Sequence, residues 1–259
     1  MLMDMHCHTS EGSIDAKASV LEIADKLSRN GFDGCLITDH NSYRGHDAWL
    51  ASKDSFRNQL PDGKEFFVLR GIEYDTRDAG HILVILPDMY EGRELEIRGM
   101  RLDDLHRYVK ERGGIMGPAH PYGTGFFALR HTKKGRFDRD ICRYFDFVEG
   151  LNSCSKKAQN RLNIRFARAS RLPITCGSDV HKLEYAGTAR TYLDEKITCN
   201  DELIAYIREN KKTRVNLDGA YELYKEPGKL SEDAGIIGYW IWNKALAICG
   251  DLRRMVFGK

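Results

Sequence analysis

No GxGxxG follows the first strand-like run of this 259-residue chain, and no GxxxxGK[ST] occurs along it. The phosphate-cradling loops built by those glycines are absent, and with them the usual reasons for an open nucleotide-binding sheet. Cysteine is sparse and badly spaced for a framework: seven residues, an odd number, with no CxxC pair. Cys35 and Cys176 fall inside apolar runs, where cysteine acts as a small buried hydrophobe, so a reducing compartment is expected rather than disulfides. An excess of one charge is also lacking. Forty lysines and arginines face 38 acids, for a net charge of +2, so no overall potential argues for an extended nucleic-acid partner. The short pairs Lys133-Lys134 and Lys156-Lys157 read as solvated surface. The N-terminus shows no basic stretch followed by an apolar one, and a cytoplasmic location is expected.

What is present is an alternation. LMDMHCHT reads as a strand, and SVLEIADKLSRNG as a helix capped by Ser19 and stopped at Gly31. Further strands are expected at 34–40, 65–76, 80–86, 114–121, 145–153, 172–181 and 188–193, and helices near 44–58, 101–112, 155–171 and 201–210. A basic-aromatic loop fills the interval up to about residue 140. Such alternation implies parallel strands joined by right-handed crossovers. About seven units fit, so a closed or nearly closed α/β barrel is expected.

Barrels of this kind gather function at the C-terminal ends of their strands. Here those ends carry His6-Cys7-His8, Asp39-His40, Glu73 with His81 opening the next run, Ala119-His120-Pro121, Glu149 with Asn152, and Asp179-Val180-His181. Strand residues i and i+2 share a face, so His6 and His8 project together while Cys7 points away. Each residue alone has an ordinary explanation as a turn, a core hydrogen bond or a helix cap; six of nine histidines on one face do not. His46, His106 and His131 fall outside the pattern, and His106 reads as surface. Buried carboxylates need partners and clustered imidazoles repel when protonated, and divalent cations answer both needs. Mixed His/Asp/Glu ligation suits Zn²⁺, Mn²⁺ or Fe. The set is too large for one ion, so a cluster of two or three is expected, with Glu73 a candidate bridge.

HCH (6–8), ITDHN (37–41), GIE (71–73), GPAHP (117–121), VEGLNS (148–153) and GSDVH (177–181) together resemble the PHP family, the polymerase and histidinol phosphatase domain. The resemblance covers about residues 2 to 195. It implies a distorted (β/α)7 TIM-like barrel over 1–218, with a trinuclear metal site at the C-terminal ends of the strands. Carried over by position, His6, His8, Glu73 and Asp179 would hold a first metal, and Glu73, His81 and His120 a second. His40 and His181 would hold a third with an early loop acid, Asp15 or its competitor Glu11. Glu149 and Asn152 would orient these ligands.

The resemblance implies a stand-alone phosphoesterase acting on a small phosphorylated metabolite, a nucleotide or a short oligonucleotide. A metal-bridging hydroxide would attack phosphorus, with Glu73, Asp179 and His181 as catalytic residues and a metal-bound water, His181 or Asp15 able to protonate the leaving group. In the loop 123–137, Arg130 and Lys133 are expected to clamp substrate phosphate. An amidohydrolase also begins with HxH, but no bridging lysine stands at the fourth strand, where His120 is. A metal-stabilised scaffold without catalysis is the non-enzymatic alternative. The apolar run in the tail, 219–259, is about sixteen residues and is interrupted by Asn243 and Lys244. A spanning helix needs about twenty, so an amphipathic helix docked on the barrel or on a second subunit is expected, with interfacial membrane binding the lesser option.

Overall fold

The computed structural model describes residues 1–220 apart from 59, 62, 63 and 210, together with 238, 241, 245 and 249. The helix expected in the tail therefore lies largely outside the described residues. Among the described residues ten strands are formed: β1 (Leu2–Cys7), β2 (Gly34–Ile37), β3 (Phe67–Arg70), β4 (Ile72–Asp75), β5 (His81–Ile85), β6 (Ile115–Pro118), β7 (Val148–Asn152), β8 (Ile174–Gly177), β9 (Ala189–Tyr192) and β10 (Arg214–Leu217). Six helices accompany them: α1 (Val20–Arg29), α2 (Arg44–Arg57), α3 (Leu102–Glu111), the short α4 (Lys133–Phe137), α5 (Lys157–Ser170) and α6 (Asn200–Arg208). Among the described residues, no helix is long and apolar enough to cross a membrane, and each of the seven cysteines is free.

The fold is mixed α/β, but its strands form three sheets rather than one closed ladder. The sheets run β10-β9-β1-β2-β3, β4-β5-β6 and β7-β8. The expectation of uniformly parallel strands is corrected in two places. β9 and β10 run antiparallel at one edge, and β5 runs antiparallel to both of its neighbours. The reason for the second lies in chain length: five residues separate β4 from β5, and a parallel return needs a crossover of a dozen or more. The single strand expected over 65–76 is in fact two, in different sheets, broken at Gly71, where a Cβ would press on Thr38 and Leu36.

Isolated parallel bridges, Cys7 to Val180 and His40 to Glu73, join the three sheets around a common cup. Because β5 is reversed, its first residue, His81, pairs with Asp75, the last residue of β4. A histidine that opens its strand thus reaches the same rim as those that close theirs.

Helices cover the outside. In α1 the Ser19 hydroxyl accepts from the Glu22 amide while the Glu22 carboxylate accepts from Ser19, a capping box. Ile23, Ala24 and Leu27 turn inward, and the helix stops at Gly31, whose φ is +80°. These side chains, with Trp49 and Phe56 of α2, pack on Cys7, Cys35 and Ile37. Met3, Met5, Leu36, Leu83, Ile115 and Phe147 form a second apolar layer beneath the cup.

Candidate metal centre

β1 bulges between Asp4 and Cys7, a local irregularity that re-aims side chains beside functional sites. Past it, His6 and His8 stand together, with ring centroids 4.9 Å apart, while Cys7 enters the α1–α2 core. Their Nε2 atoms face one another at 3.0 Å. Around them, Glu73 Oε2 lies 3.3 Å from His8 Nε2 and 3.6 Å from His6 Nε2. Asp179 Oδ1 lies 3.2 Å and 3.6 Å from the same two atoms.

The far sides of both rings fix their tautomers. His6 Nδ1 donates to Glu149 Oε1 at 2.8 Å. His8 Nδ1 meets Ser13 Oγ at 3.1 Å, and that hydroxyl donates to Asp39 Oδ1 at 2.8 Å, so it accepts from the ring. In their neutral forms, both rings therefore aim a lone pair at the other. Something positive must lie between them, either a proton or a cation.

Glu73 extends the set. Its Oε1 lies 2.9 Å from His81 Nδ1 and 3.1 Å from His120 Nε2. Its Oε2 lies 3.0 Å from His40 Nδ1, yet neither of these two buried atoms is in a hydrogen bond of acceptable geometry. At the rim, Asp15 Oδ2 is 3.2 Å from His181 Nε2 and 3.7 Å from His40 Nε2. Within this cluster three triplets have ligand atoms mutually within 4.8 Å: His6-His8-Asp179, His8-His40-His181 and His40-Glu73-His81. Such orphaned, convergent donors fit divalent cations better than they fit one another.

The electrostatics agree. Burial alone would push the Glu73 and Asp179 carboxyls up, but the surrounding histidines outweigh it and hold both well below the usual carboxylate range. Burial would likewise depress His6, His40 and His181, and the facing carboxylates instead raise all three well above an ordinary imidazole. Protons and divalent cations thus compete for the same nitrogens, and binding a cation releases protons. Two of these side chains stand on left-handed backbone, His120 at φ 29° and Asp179 at φ 54°.

A cavity of about 220 Å³ opens onto this cluster, lined by Asp15, His40, Glu73, His81, His120, Asp179 and His181, with Phe127 and Cys154 at its wall. A larger cavity, about 470 Å³, lies between α2 and β3 and contains none of these residues. Chemistry rather than size marks the site.

Every histidine and acid expected as a ligand is in the cluster. Glu11 is not: both of its oxygens accept from Val20 N at 3.2 Å, at the start of α1, which leaves Asp15 facing the histidines. Arg130 and Lys133 do not line the cavity. The Arg130 guanidinium donates to the Gly135 carbonyl and lies 5.6 Å from the Tyr122 ring, while Lys133 is exposed. The sequence reading missed Asp75. This buried residue contacts His81 Nε2 at 3.0 Å and Arg98 at 2.9 Å, and accepts from Asn41 Nδ2 at 2.7 Å. The signal was available, because Asp75 lies two residues beyond Glu73 and shares its strand face.

The PHP-associated family model, PHP_C, matches residues 157–211. No curated protein matches the chain by sequence. Its fold is similar to that of PsfC from Pseudomonas syringae PB-5123, with TM-score 0.56, 16% identity, 99% of this chain covered and 98% of that one. A protein from Bifidobacterium adolescentis assigned as a metal-dependent phosphoesterase matches with TM-score 0.52 and 17% identity, covering 81% of this chain and 96% of that one. The lesion-specific endonuclease PfuEndoQ from Pyrococcus furiosus matches with TM-score 0.53 and 18% identity over 83% of this chain but 58% of its own. These likenesses establish the fold.

Proposed function

We propose that this chain is a metal-dependent hydrolase of phosphoesters, acting on a small phosphorylated metabolite, a nucleotide or a short oligonucleotide. The observation that carries the reading is the pair of Nε2 lone pairs of His6 and His8 at 3.0 Å, ringed by Glu73 and Asp179 oxygens. His6, His8, Glu73 and Asp179 would hold one cation; Glu73, His81 and His120 a second; and His40, His181 and Asp15 a third. When bound, such cations lower the pKa of water and neutralise charge on phosphate oxygens. A distorted seven-stranded barrel is our reading of the strand ring, whose sheets are linked at Cys7–Val180 and His40–Glu73.

The chain's own groups do the positioning. Glu149 keeps His6 in the Nδ1–H tautomer, and Asp75 Oδ1 sets a carboxylate oxygen 3.0 Å from His81 Nε2. Asn152 Nδ2 donates to Asp179 Oδ2 at 3.1 Å, which leaves Oδ1 turned to the histidines. At the mouth, His181 Nδ1 donates to the Asp179 carbonyl at 2.9 Å, so its Nε2, facing Asp15, serves either a cation or a leaving-group proton, never both at once. Among the described residues no lysine lines the cavity, which separates this site from one built on a bridging lysine.

The test is metal content by plasma mass spectrometry on protein purified without chelator, beside Asp179→Ala. About two to three Zn, Mn or Fe per chain are expected, with a loss in the variant and hydrolysis of p-nitrophenyl mono- or diesters by the wild type. Zero or one metal in both proteins overturns the cluster. Full metal content with no ester hydrolysed replaces the enzyme with a metal-stabilised scaffold.

A further inference from the structure

Net charge conceals an asymmetry. Between Glu149 and Asp179 there is no acidic residue, while Lys156, Lys157, Arg161, Arg165, Arg168 and Arg171 all fall in that interval. The segment carries +6 in a chain of net +2, so the remainder carries −4. Most of those cations lie on α5. Asn160, Asn163 and Ala167 form the buried face of that helix, and Lys157, Arg161, Arg165 and Arg168 are exposed on the other. Their spacings of four, four and three residues align them on one side of the helix over about 16 Å. Cations on other helices have acidic partners: Arg29 with Asp25, Arg57 with Glu65, and Lys110 with Asp146. Among the described residues, no ion pair involves the four cations of the α5 ridge.

The ridge starts at the site. Asn160 clasps Asn152 through two hydrogen bonds, 3.0 Å from the Asn152 amide and 2.9 Å to its carbonyl. Asn152, Cys154 and Ser155 line the cavity, and α5 begins two residues later. Asn163 Oδ1 accepts from Tyr122 N at 2.8 Å, placing a half-buried aromatic beside the same turn. Phe127 offers a second ring at the cavity wall.

We infer that the exposed face of α5 is a phosphate track for a single-stranded nucleic acid whose end or scissile linkage enters the cavity. The inference rests on the phosphoesterase reading and names its substrate class. Guanidinium groups match phosphate with paired donors, and a row of them beside aromatic rings is how single strands are held without regard to sequence. A cavity of about 220 Å³ admits one phosphoester group with its neighbours splayed, not a duplex. A lipid surface fits less well, because the exposed apolar residues within the ridge are Ala158, Leu162 and Ala169, with no aromatic anchor.

The test uses the full chain as purified and a fluorescent, hydrolysis-resistant phosphorothioate strand of about 15 nucleotides, read by anisotropy between about 50 and 200 mM salt. The comparison is the triple variant Arg161→Gln, Arg165→Gln, Arg168→Gln. Removing three phosphate contacts reduces the log–log salt slope by about 2, since each contributes about 0.7 on a single strand. At the lower salt, affinity should fall at least about tenfold, with thermal stability unchanged and p-nitrophenyl ester turnover retained. Equal binding by wild type and variant overturns the track, as does the absence of salt-dependent binding. Polyglutamate or phosphatidylserine vesicles binding as tightly as the strand also overturn it. Binding is read without turnover, so a failed hydrolase assay leaves this test standing, and a failed binding assay leaves the hydrolase reading standing.

Discussion

Replacing Glu149 with glutamine exchanges a single oxygen for an amide nitrogen at a fully buried position. Three donors converge on that carboxylate: His6 Nδ1 on Oε1 at 2.8 Å, and His120 N at 2.7 Å and Asn152 Nδ2 at 3.1 Å on Oε2. An amide keeps only one accepting oxygen. If that oxygen faces His6, the new NH₂ points at two donors. If it faces His120 and Asn152, the NH₂ opposes His6 Nδ1–H and drives the ring to its other tautomer, placing a hydrogen on the Nε2 that faces His8. One or two buried donors go unsatisfied either way, at about 1–3 kcal/mol each. Disturbing an orienting partner of this kind weakens metal affinity by about 10–100-fold. Thermal unfolding should therefore fall by several degrees, at about 2–4 °C per kcal/mol for a domain of this size. Competition against a chromophoric chelator should show the affinity loss. If Glu149→Gln binds Zn²⁺ within about twofold of wild type and melts at the same temperature, the carboxylate is not what orients His6.

Gly177 leaves no room beside the cluster: a Cβ there would strike His6 Cβ and Glu149 Oε1. Gly177→Ala should lower stability by about 1–3 kcal/mol and strip metal from the first site, read by denaturant unfolding and metal analysis. His46 supplies a pH dependence away from the centre. Burial, aided by Arg70, depresses its pKa from 6.5 to about 4. The unfolded chain then binds the extra proton as pH falls below 6.5, so the stabilisation is complete above that value and is lost towards pH 4. The loss has reached about 2 kcal/mol at pH 5. Urea titrations of wild type and His46→Gln at pH 7 and 5 should show that much less loss in the variant, and equal losses would refute the assignment.

The histidines were legible because the period-2 strand pattern puts ligand-type residues at strand ends, and because Pro121 marks where a strand must stop. The Ser19 cap and the Gly31 stop were equally legible, since capping chemistry is local. What failed was the relation between segments. A run such as EFFVLRGIEYDT carries no mark of a break at Gly71 that sends its halves to different sheets. The reversal of β5 was implicit in the short link from Asp75 to His81, but alternation of strands and helices suggested a uniform parallel order. Arg130 seemed near the phosphate because it follows His120 closely in sequence; the 3₁₀ turns of the loop fold its guanidinium back onto Gly135 instead. The basic face of α5 was hidden by averaging, because a net charge says nothing about where its components sit.

The left-handed backbone at His120 and Asp179 has an evolutionary consequence. Aspartate and histidine enter that region more readily than most side chains but less readily than glycine, and holding one there costs of order 1–3 kcal/mol. Glycine would relax both positions at once. A chain copied without selection for any chemistry would find that change rewarded by greater stability, so the candidate ligands at 120 and 179 are where disuse would first become visible. Holding a histidine and an aspartate there is the conformational cost that the proposed centre places on the fold.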